Sequence, residues 1–164
     1  MAQRLSEASA RVCELVMPEH TNQYGTVFGG YLVALMDKAA YMVASRYARS
    51  MCVTAGMDRL DFTRPIRVGQ VVEVIARLTY VSRTAMEIAV EARGEDILVG
   101  TSVEACSGYF TFVAVDQEGH PVEVPQPELE SEEEITRFWE GQKRHQERAR
   151  TRGLRCSSTD SGPN

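Results

Sequence analysis

The stretch HTNQYGTVFGGYLVALMDKAAY, residues 20–41, decides how the chain is organised. It starts with residues typical of turns, passes the adjacent pair Gly29 and Gly30, and continues with apolar residues at the i, i+3, i+4, i+7 spacing of a helix. A single acid, Asp37, stands among these apolar residues. The pattern predicts a loop followed by a long amphipathic helix from Gly30 to about Arg49, with one carboxylate beside its apolar stripe.

Further along the chain, apolar residues recur with the period of β-strands. The predicted strands cover residues 11–17, 53–62, 70–81, 85–93 and 97–115. The third and fourth segments alternate apolar and polar side chains and are joined by a tight turn at residues 82–84. We therefore expect Glu73, Thr79 and Glu87 to point outward. Four or five antiparallel strands with one long early helix predict an α+β domain, with the helix on one face of a sheet.

The two ends of the chain differ in composition from its middle. We predict a flexible N-terminus over residues 1–10, a folded domain over 11–127, a charged C-terminal helix over 128–152 and a disordered tail over 153–164. Ser131 followed by Glu134 matches a helix capping box. Because this helix has few large apolar residues, we expect it to be short and to dock loosely on the surface.

Length, charge and cysteine content limit the classes of function. The 164 residues fit one domain with a buried core. A net charge of −5 argues against nucleic-acid binding. No apolar run approaches the roughly 18 residues of a membrane span, and the N-terminus lacks the apolar core of a secretory signal. We therefore expect a cytoplasmic protein that binds neither nucleic acid nor membrane.

The four cysteines are Cys13, Cys52, Cys106 and Cys156, and none forms a C-x-x-C pair. This spacing favours neither a metal site nor a disulfide framework. We expect the cysteines in strand-like segments to be small buried apolar side chains in a reducing compartment.

Several common catalytic motifs are missing from the sequence. There is no G-x-S-x-G, no H-E-x-x-H and no P-loop, and the glycine spacing does not fit a dinucleotide fingerprint. His20, His120 and His145 lie in loop-like or polar surroundings, so we expect them to be solvated. A Ser-His-Asp hydrolase is therefore not predicted.

The start of the predicted helix has the properties of a site for a negatively charged oxygen. Gly29 and Gly30 let the backbone approach a ligand, and the first N–H groups of a helix lie unpaired at the positive end of its dipole. Asp37 follows two turns later beside the apolar stripe, where partial shielding from water makes a carboxylate a better general base at neutral pH. The neutral amide of Asn22 can orient a water molecule or a carbonyl group.

Each of these residues also has a purely structural explanation. The glycine pair can serve tight packing of the helix. Asp37 and Lys38 can form an ordinary solvated edge, and Asn22 can be a turn or cap residue. The residues alone leave the catalytic and the structural interpretation open.

A wider pattern resembles a known family of enzymes. The combination T-N-x-x-G-x-x-F-G-G-x-x-x-x-x-M-D, from Thr21 to Asp37, is similar to that of the hotdog-fold acyl-CoA thioesterases, in particular the cytosolic acyl-CoA hydrolases and their small bacterial single-domain relatives. The similarity extends over about residues 12–127, through the segments 53–74, 82–88 and 108–125. The resemblance implies a hotdog fold, a long helix wrapped by a curved antiparallel sheet of about five strands.

The resemblance also implies an activity, the hydrolysis of acyl-CoA to a free carboxylic acid and coenzyme A, in active sites between two paired domains. Asp37 of one subunit would act as general base on water or as nucleophile. Asn22 of the other subunit would orient the water or the carbonyl group, and the N–H of Gly30 would hold the carbonyl oxygen. Because a thiolate leaves easily, such a site needs no histidine.

Substrate-binding residues and partners follow from the same resemblance. The implied substrate contacts are Phe28, Gly29, Met36, Tyr41, Arg64, Arg83 and Thr84. The arginines would bind the phosphates of coenzyme A, and the apolar side chains would line the acyl tunnel. No metal is implied, and no cofactor besides the coenzyme A of the substrate. The chain is expected to form at least a homodimer and, as a trimer of dimers, a hexamer.

Three positions depart from the family pattern. Phe28 stands where some relatives carry histidine, which argues against a role for an imidazole there. Ala85 stands where relatives often carry serine, so a hydroxyl that would contact the nucleotide is missing. Gly56 replaces a residue that usually carries a side chain, which predicts either a roomier pocket or a bulge in the strand.

Two other functions remain open. One is a thioesterase for acyl groups on an acyl carrier protein, which the negative net charge disfavours because such carriers are acidic. The other is a non-catalytic acyl-CoA sensor, which has no use for Asp37 or Asn22. The acyl-chain length and the choice between base and nucleophile stay undetermined.

Overall fold

The computed structural model describes residues 4–157, with side chains described for residues 4–151. Its main elements are β1 (Ser9–Leu15), α1 (Gly29–Ala48), β2 (Met51–Phe62), β3 (Val71–Val81), β4 (Ala85–Asp96), β5 (Thr101–Val115) and α2 (Glu132–Ser157). Short 3₁₀ turns cover Leu5–Glu7 and Pro18–His20. The strands form one antiparallel sheet in the order β1-β3-β4-β5-β2, which confirms the predicted α+β architecture.

The apolar stripe of α1 is the centre of the core. Its buried residues are Leu32, Leu35, Met36, Ala39, Ala40, Val43, Ala44 and Tyr47. They share one core cluster with alternate residues of the central strands, such as Leu78, Ile88 and Phe110. Because α1 contacts all five strands, and neighbouring strands lie about 4.8 Å apart, the sheet must curve around the helix.

Some strand boundaries differ from the prediction. β1 lies two residues earlier, and β4 extends to Asp96. β5 starts four residues later, at Thr101, because a tight turn intervenes. In this turn Asp96 Oδ1 accepts hydrogen bonds from the N–H groups of Leu98 and Val99, both at 3.1 Å, and Gly100 has a φ of 76°.

The predicted flexible N-terminus is wrong for residues 4–10, while residues 1–3 lie outside the described residues. Leu5 is only 1% exposed, and its N–H reaches the carbonyl of Glu128 at 3.4 Å. The carbonyl of Ala8 accepts a hydrogen bond from Leu78 N–H at 2.9 Å. The prediction failed because the partners of this short segment are distant in sequence.

The C-terminal helix is neither short nor loosely docked. α2 has 26 residues and packs across the outer face of the sheet. The ring of Phe138 lies 4.9 Å from that of Tyr80, between centroids. The glycine at position 141 lets the helix backbone approach Tyr80 closely, since a Cβ there would lie 2.6 Å from the Tyr80 Cβ. The helix continues through residues 153–157, part of the predicted disordered tail, whereas residues 158–164 lie outside the described part of the chain.

The side chains expected to point into solvent are buried, and α2 covers two of them, Thr79 and Glu87. Glu87 is 1% exposed and Thr79 is 2% exposed, while Glu73 is 8% exposed and pairs with Arg11. The Glu87 carboxylate lies 2.8 Å and 2.7 Å from the Nη2 atoms of two α2 arginines. A buried carboxylate is tolerated only when it is paired in this way.

The cysteine prediction is confirmed at two positions and wrong at one. Cys52 and Cys106 are buried, but Cys13 is exposed because its side of β1 is not covered. The side chain of Cys156 lies outside the described residues. Among the described residues, no helix is long and apolar enough to cross a membrane.

The first testable feature is the acid that caps α2. Glu134 accepts hydrogen bonds from the N–H groups of Ser6, Glu130 and Ser131 at 2.9, 2.8 and 3.1 Å. The Ser6 side chain, followed by these N–H groups, lowers the pKa of Glu134 from 4.5 to about 2. A lowered folded-state pKa stabilises the protein above the unfolded-state pKa, and this contribution is lost as the pH falls from about 4.5 towards 2. Urea unfolding of Glu134→Gln should therefore depend less on pH in this window than wild type. Glu132→Gln, in the same turn but exposed, is the control and should follow wild type.

The second test concerns the glycine of α2. Alanine has a higher helix propensity by about 1 kcal/mol, yet Gly141→Ala should destabilise the protein by about 1–3 kcal/mol, because the new Cβ would collide with the sheet. Gln146→Ala removes a side chain on the same helix without such a contact and serves as control. Urea unfolding of both variants measures the difference, and a stabilised Gly141→Ala would show that α2 is not packed as described.

Candidate active site

The loop before α1 holds Asn22 in a fixed orientation. Its Oδ1 accepts hydrogen bonds from Tyr24 N–H at 2.9 Å and from the N–H and hydroxyl of Thr26 at 3.4 and 3.2 Å. Gly25, at φ 72°, closes the turn by donating its N–H to the Asn22 carbonyl at 3.0 Å. This is the turn role expected of Asn22, and within the side chain it uses only Oδ1. Within residues 4–151 the amide NH₂ of Asn22 has no hydrogen-bond partner, so it is available as a donor.

The N-terminus of α1 presents a second set of donors. The first intrahelical bond runs from Leu32 N–H to the Phe28 carbonyl at 3.1 Å, and no side chain of residues 4–151 caps the helix. The N–H groups of Gly29, Gly30 and Tyr31 are therefore free to hold a negatively charged oxygen. Gly30 also has a packing role, since a Cβ there would lie 2.7 Å from the Phe28 ring. The start of α1 therefore fits both interpretations of the glycine pair, close packing and free N–H groups for a ligand.

Asp37 is half-buried on the flank of α1, and its Oδ1 accepts a hydrogen bond from the Thr54 hydroxyl at 2.8 Å. Thr54 belongs to β2 and stands at a break in the register with β5, between Thr54 and Gly56. The bulge expected at Gly56 is therefore present, and it directly follows the residue that contacts Asp37. One carboxylate oxygen is fixed by Thr54, which leaves the other for chemistry.

Sequence reasoning missed Thr54. The contact joins a helix to a strand, so neither helical nor strand periodicity points to it. The available signal was a hydroxyl residue within a segment, residues 53–74, that already resembled the family.

The surface beside Asp37 is apolar and open. β2 is the last strand of the sheet, so one of its edges has no neighbouring strand within residues 4–157. Large apolar side chains are exposed on β2 and on the adjoining parts of α1 and its loop: Phe28, Tyr41, Met51, Val53, Met57 and Phe62. Phe28 and Tyr41, both predicted substrate contacts, are 59% and 44% exposed. Met36, the third apolar candidate, is 0% exposed and lies in the core.

A single chain does not bring all candidate groups together. Asn22 forms its side-chain hydrogen bonds inside its own loop and Asp37 bonds to Thr54, with no bond joining the two among residues 4–151. Gly30 and Asp37 are separated along α1 by about 10 Å, at 1.5 Å per residue. This separation is too long for both to touch one carbonyl group.

The candidate phosphate ligands are also divided between two regions. Arg64 N–H reaches the carbonyl of Ala105 at 3.4 Å, near the start of β5, while the Thr84 carbonyl accepts a bond from Ala114 N–H at 3.1 Å, near its end. The strand between these contacts is roughly 30 Å long. Arg64 and Arg83 therefore lie at opposite ends of the sheet, both exposed.

The histidines are less solvated than predicted. The His20 side chain is 18% exposed, and its ring stacks on Tyr31 with centroids 4.4 Å apart. The His145 ring lies 5.3 Å from that of Tyr80. His120 is exposed, as predicted.

One group within the described residues has the composition of a metal site. Ligand atoms of Asp116, Glu118 and His120 lie within 4.8 Å of one another at the turn after β5. Asp116 already caps this turn, since its Oδ1 accepts the N–H groups of Glu118 and His120 at 2.9 and 2.8 Å. Hydrogen bonds of the turn therefore explain the arrangement.

Comparison with known proteins agrees with this geometry. A model of the thioesterase superfamily matches residues 24–101. An uncharacterized acyl-CoA thioester hydrolase of Zymomonas mobilis is 40% identical over 111 residues, which are 68% of this chain and 74% of that protein. The cytosolic acyl coenzyme A thioester hydrolase of Rattus norvegicus is 36% identical over 86% of this chain, which spans only 38% of the rat protein.

Solved structures extend the similarity to the whole fold. The acyl-CoA hydrolase of Staphylococcus aureus, solved with butyryl coenzyme A, coenzyme A and coenzyme A disulfide, has a TM-score of 0.85 and 32% identity over 97% of this chain and 96% of that one. An apo-hexameric acyl-CoA thioesterase has a TM-score of 0.87 and 32% identity over 94% of this chain and 99% of that one. The chain therefore belongs to the thioesterase superfamily, and the predicted hotdog fold of the acyl-CoA thioester hydrolases is confirmed.

The Staphylococcus aureus enzyme has also been solved with alanine in place of an asparagine, an aspartate or a threonine. These three residues are separated by 15 and 17 positions, the same separations as between Asn22, Asp37 and Thr54. The same residue types at the same spacing favour a common arrangement in the two chains.

Proposed function

We propose that the chain hydrolyses acyl-CoA to a carboxylic acid and coenzyme A, in a site built by two copies of the chain. The observation that carries this proposal is the Asp37–Thr54 pair, which lies beside an open apolar strand edge and apart from the donors at the start of α1. The acyl-CoA thioester hydrolases named among the relatives support the choice of substrate.

The second copy supplies the missing donors. Two β2 strands that pair antiparallel about a two-fold axis place the start of one strand beside the end of the other. The pairing would cover the apolar residues exposed on β2. It would also bring Asn22 and Gly30 of one copy towards Asp37 of the other. We further propose a hexamer, a trimer of such dimers, which the similarity to a hexameric thioesterase supports.

The roles follow from the atoms that remain free. The carboxylate oxygen of Asp37 that Thr54 does not hold would take a proton from water, or attack the thioester carbonyl itself. The N–H of Gly30 and the amide of Asn22 would stabilise the negative charge on the carbonyl oxygen, a contribution typically worth about 10²–10³ in rate. The sulfur leaves as a thiolate, and because a thiol pKa is about 8.5 it needs no strong acid.

The location of Arg64 and Arg83 at opposite ends of the sheet is consistent with the same dimer. In an antiparallel pair, Arg83 and Thr84 of one copy lie at the end of the sheet that adjoins Arg64 of the other. One coenzyme A would then contact both regions. A cytosolic location is proposed as well, in line with the cytosolic relatives.

The sensor and carrier-protein alternatives are weaker. A sensor would gain nothing from a carboxylate oriented by Thr54. A carrier-protein enzyme would need a basic docking surface, whereas the net charge of this chain is −5.

The first test removes the proposed base and its orienting partner. Asp37→Asn should lower kcat by about 10²–10⁴-fold. Thr54→Val should lower it by about 10-fold or more, because it removes a hydrogen bond to a charged group, and Thr54→Ser should retain most of the rate. Coenzyme A release should be followed chromatographically, since exposed Cys13 would react with a thiol reagent.

Lys38→Ala is the control for this test, because Lys38 is exposed next to Asp37. It should keep wild-type turnover. Undiminished turnover by Asp37→Asn would overturn the catalytic role, and acyl-CoA binding without turnover by wild type would favour the sensor.

A second test asks whether the site is shared. Asp37→Asn and Asn22→Ala should each be nearly inactive alone. Unfolded together and refolded at equal concentration, they should recover about a quarter of wild-type activity, because half of the dimers are mixed and each mixed dimer has one intact site. Absence of recovery, with mixed dimers demonstrated by mass spectrometry, would place both residues in the same subunit's site.

A further inference from the structure

We propose that His20, Glu14 and Tyr31 form a positioning group that holds the Asn22 loop against the N-terminus of α1. This inference rests on the proposed function. The three residues come from the 3₁₀ turn at Pro18–His20, from β1 and from the first turn of α1. None of them was singled out as a site residue by its sequence pattern.

The contacts among the three side chains are specific. The rings of His20 and Tyr31 stack with centroids 4.4 Å apart and planes 9° apart. The Tyr31 hydroxyl donates a hydrogen bond to Glu14 Oε1, which also lies 3.6 Å from His20 Nε2. Glu14 thus receives a hydrogen bond from one ring and a favourable electrostatic contact from the other.

Both rings have a defined protonation pattern in this arrangement. His20 Nδ1 accepts a hydrogen bond from the Met17 N–H at 3.2 Å, so the imidazole proton lies on Nε2, facing Glu14. The hydrogen bond to Glu14, together with burial and the charge of Glu14, raises the pKa of Tyr31 to about 12. Glu19 is the other acid that acts on Tyr31, and its charge acts in the same direction.

The group is joined directly to the proposed oxyanion donors. The His20 carbonyl accepts a hydrogen bond from Phe28 N–H at 2.9 Å, which ties together the two ends of the loop that carries Asn22. Tyr31 follows Gly30 in the chain. The side-chain contacts therefore link the base of the loop to the turn of α1 whose N–H groups face the substrate.

Such a link has a consequence for catalysis. Asn22 and Gly30 must hold one oxygen together, and a displacement of about 1 Å can cost about 10²-fold in rate. Tyr31 packs against the core cluster through its ring, which Tyr31→Phe retains, whereas His20 and Glu14 are not part of that cluster. Loss of the positioning group should therefore loosen the loop and lower kcat while the fold and KM change little.

The variants separate the individual contacts. Tyr31→Phe keeps the ring stack and removes the hydroxyl. His20→Asn keeps an acceptor for Met17 N–H and removes the stack, whereas His20→Ala removes both. Glu19→Gln is the control for charge, because Glu19 has no side-chain hydrogen bond to this group among the described residues.

The kinetic readout is a double-mutant cycle. We expect Tyr31→Phe and His20→Ala to lower kcat about tenfold or more, with KM within about twofold of the wild-type value. The kcat of His20→Asn should lie between those of His20→Ala and wild type. Glu19→Gln should have the kcat of wild type. In an Asn22→Ala background, the His20 and Tyr31 substitutions should have little further effect, because they act through Asn22. Unchanged kcat, or full additivity with Asn22→Ala, would overturn the proposal.

A second readout does not depend on turnover. Backbone hydrogen exchange over residues 21–28 should accelerate in Tyr31→Phe and His20→Ala, and exchange in β3 and β4 should not. If hydrogen exchange over residues 21–28 accelerates in the variants but the wild-type protein shows no turnover, the proposed hydrolase is refuted and the positioning group is still supported. Normal turnover with unchanged exchange in the variants would refute the positioning group and leave the hydrolase intact.

Discussion

Burial of the apolar stripe of α1 beneath five strands is the interaction on which the rest of the structure depends. Each large apolar side chain buried there contributes about 1.5–3 kcal/mol. The stripe occupies one side of the helix, so the sheet curves around that side and leaves the flank beside β2 at its rim. Asp37 and Tyr41, one turn apart, lie on this flank. The N-terminus of α1, with its unpaired N–H groups, extends past the apolar stripe. The core therefore fixes the position of the candidate site and leaves the polar groups of that site available.

The same arrangement explains why one chain holds only parts of a site. A rigid helix keeps its N-terminal donors and Asp37 about 10 Å apart. The apolar edge of β2 lies beside the carboxylate, where nothing in the described chain covers it. The exposed apolar surface and the divided polar groups are thus two consequences of one helix in one sheet, and pairing of two chains would resolve both.

The outer face of the sheet follows a different rule. Its alternating pattern predicted solvent-facing acids, yet α2 covers Glu87 and supplies Arg144 and Arg148 to its carboxylate. Alternation reports which side chains point away from α1, and it does not report whether a later segment covers them. α2 itself was underestimated because its contact with the sheet combines one aromatic ring, Phe138, with arginines and a glycine, Gly141, and has no apolar stripe.

The sequence by itself determined the long helix, the strand periodicity, the resemblance to thioesterases and the candidates Asn22, Gly30 and Asp37. These are local properties, because each is carried by neighbours within a few turns or by a contiguous motif. Tertiary structure alone decided that Thr54 contacts Asp37, that Met36 belongs to the core, and that His20 packs on Tyr31. Each of these depends on distances between elements, and such distances are fixed only when the sheet closes around the helix.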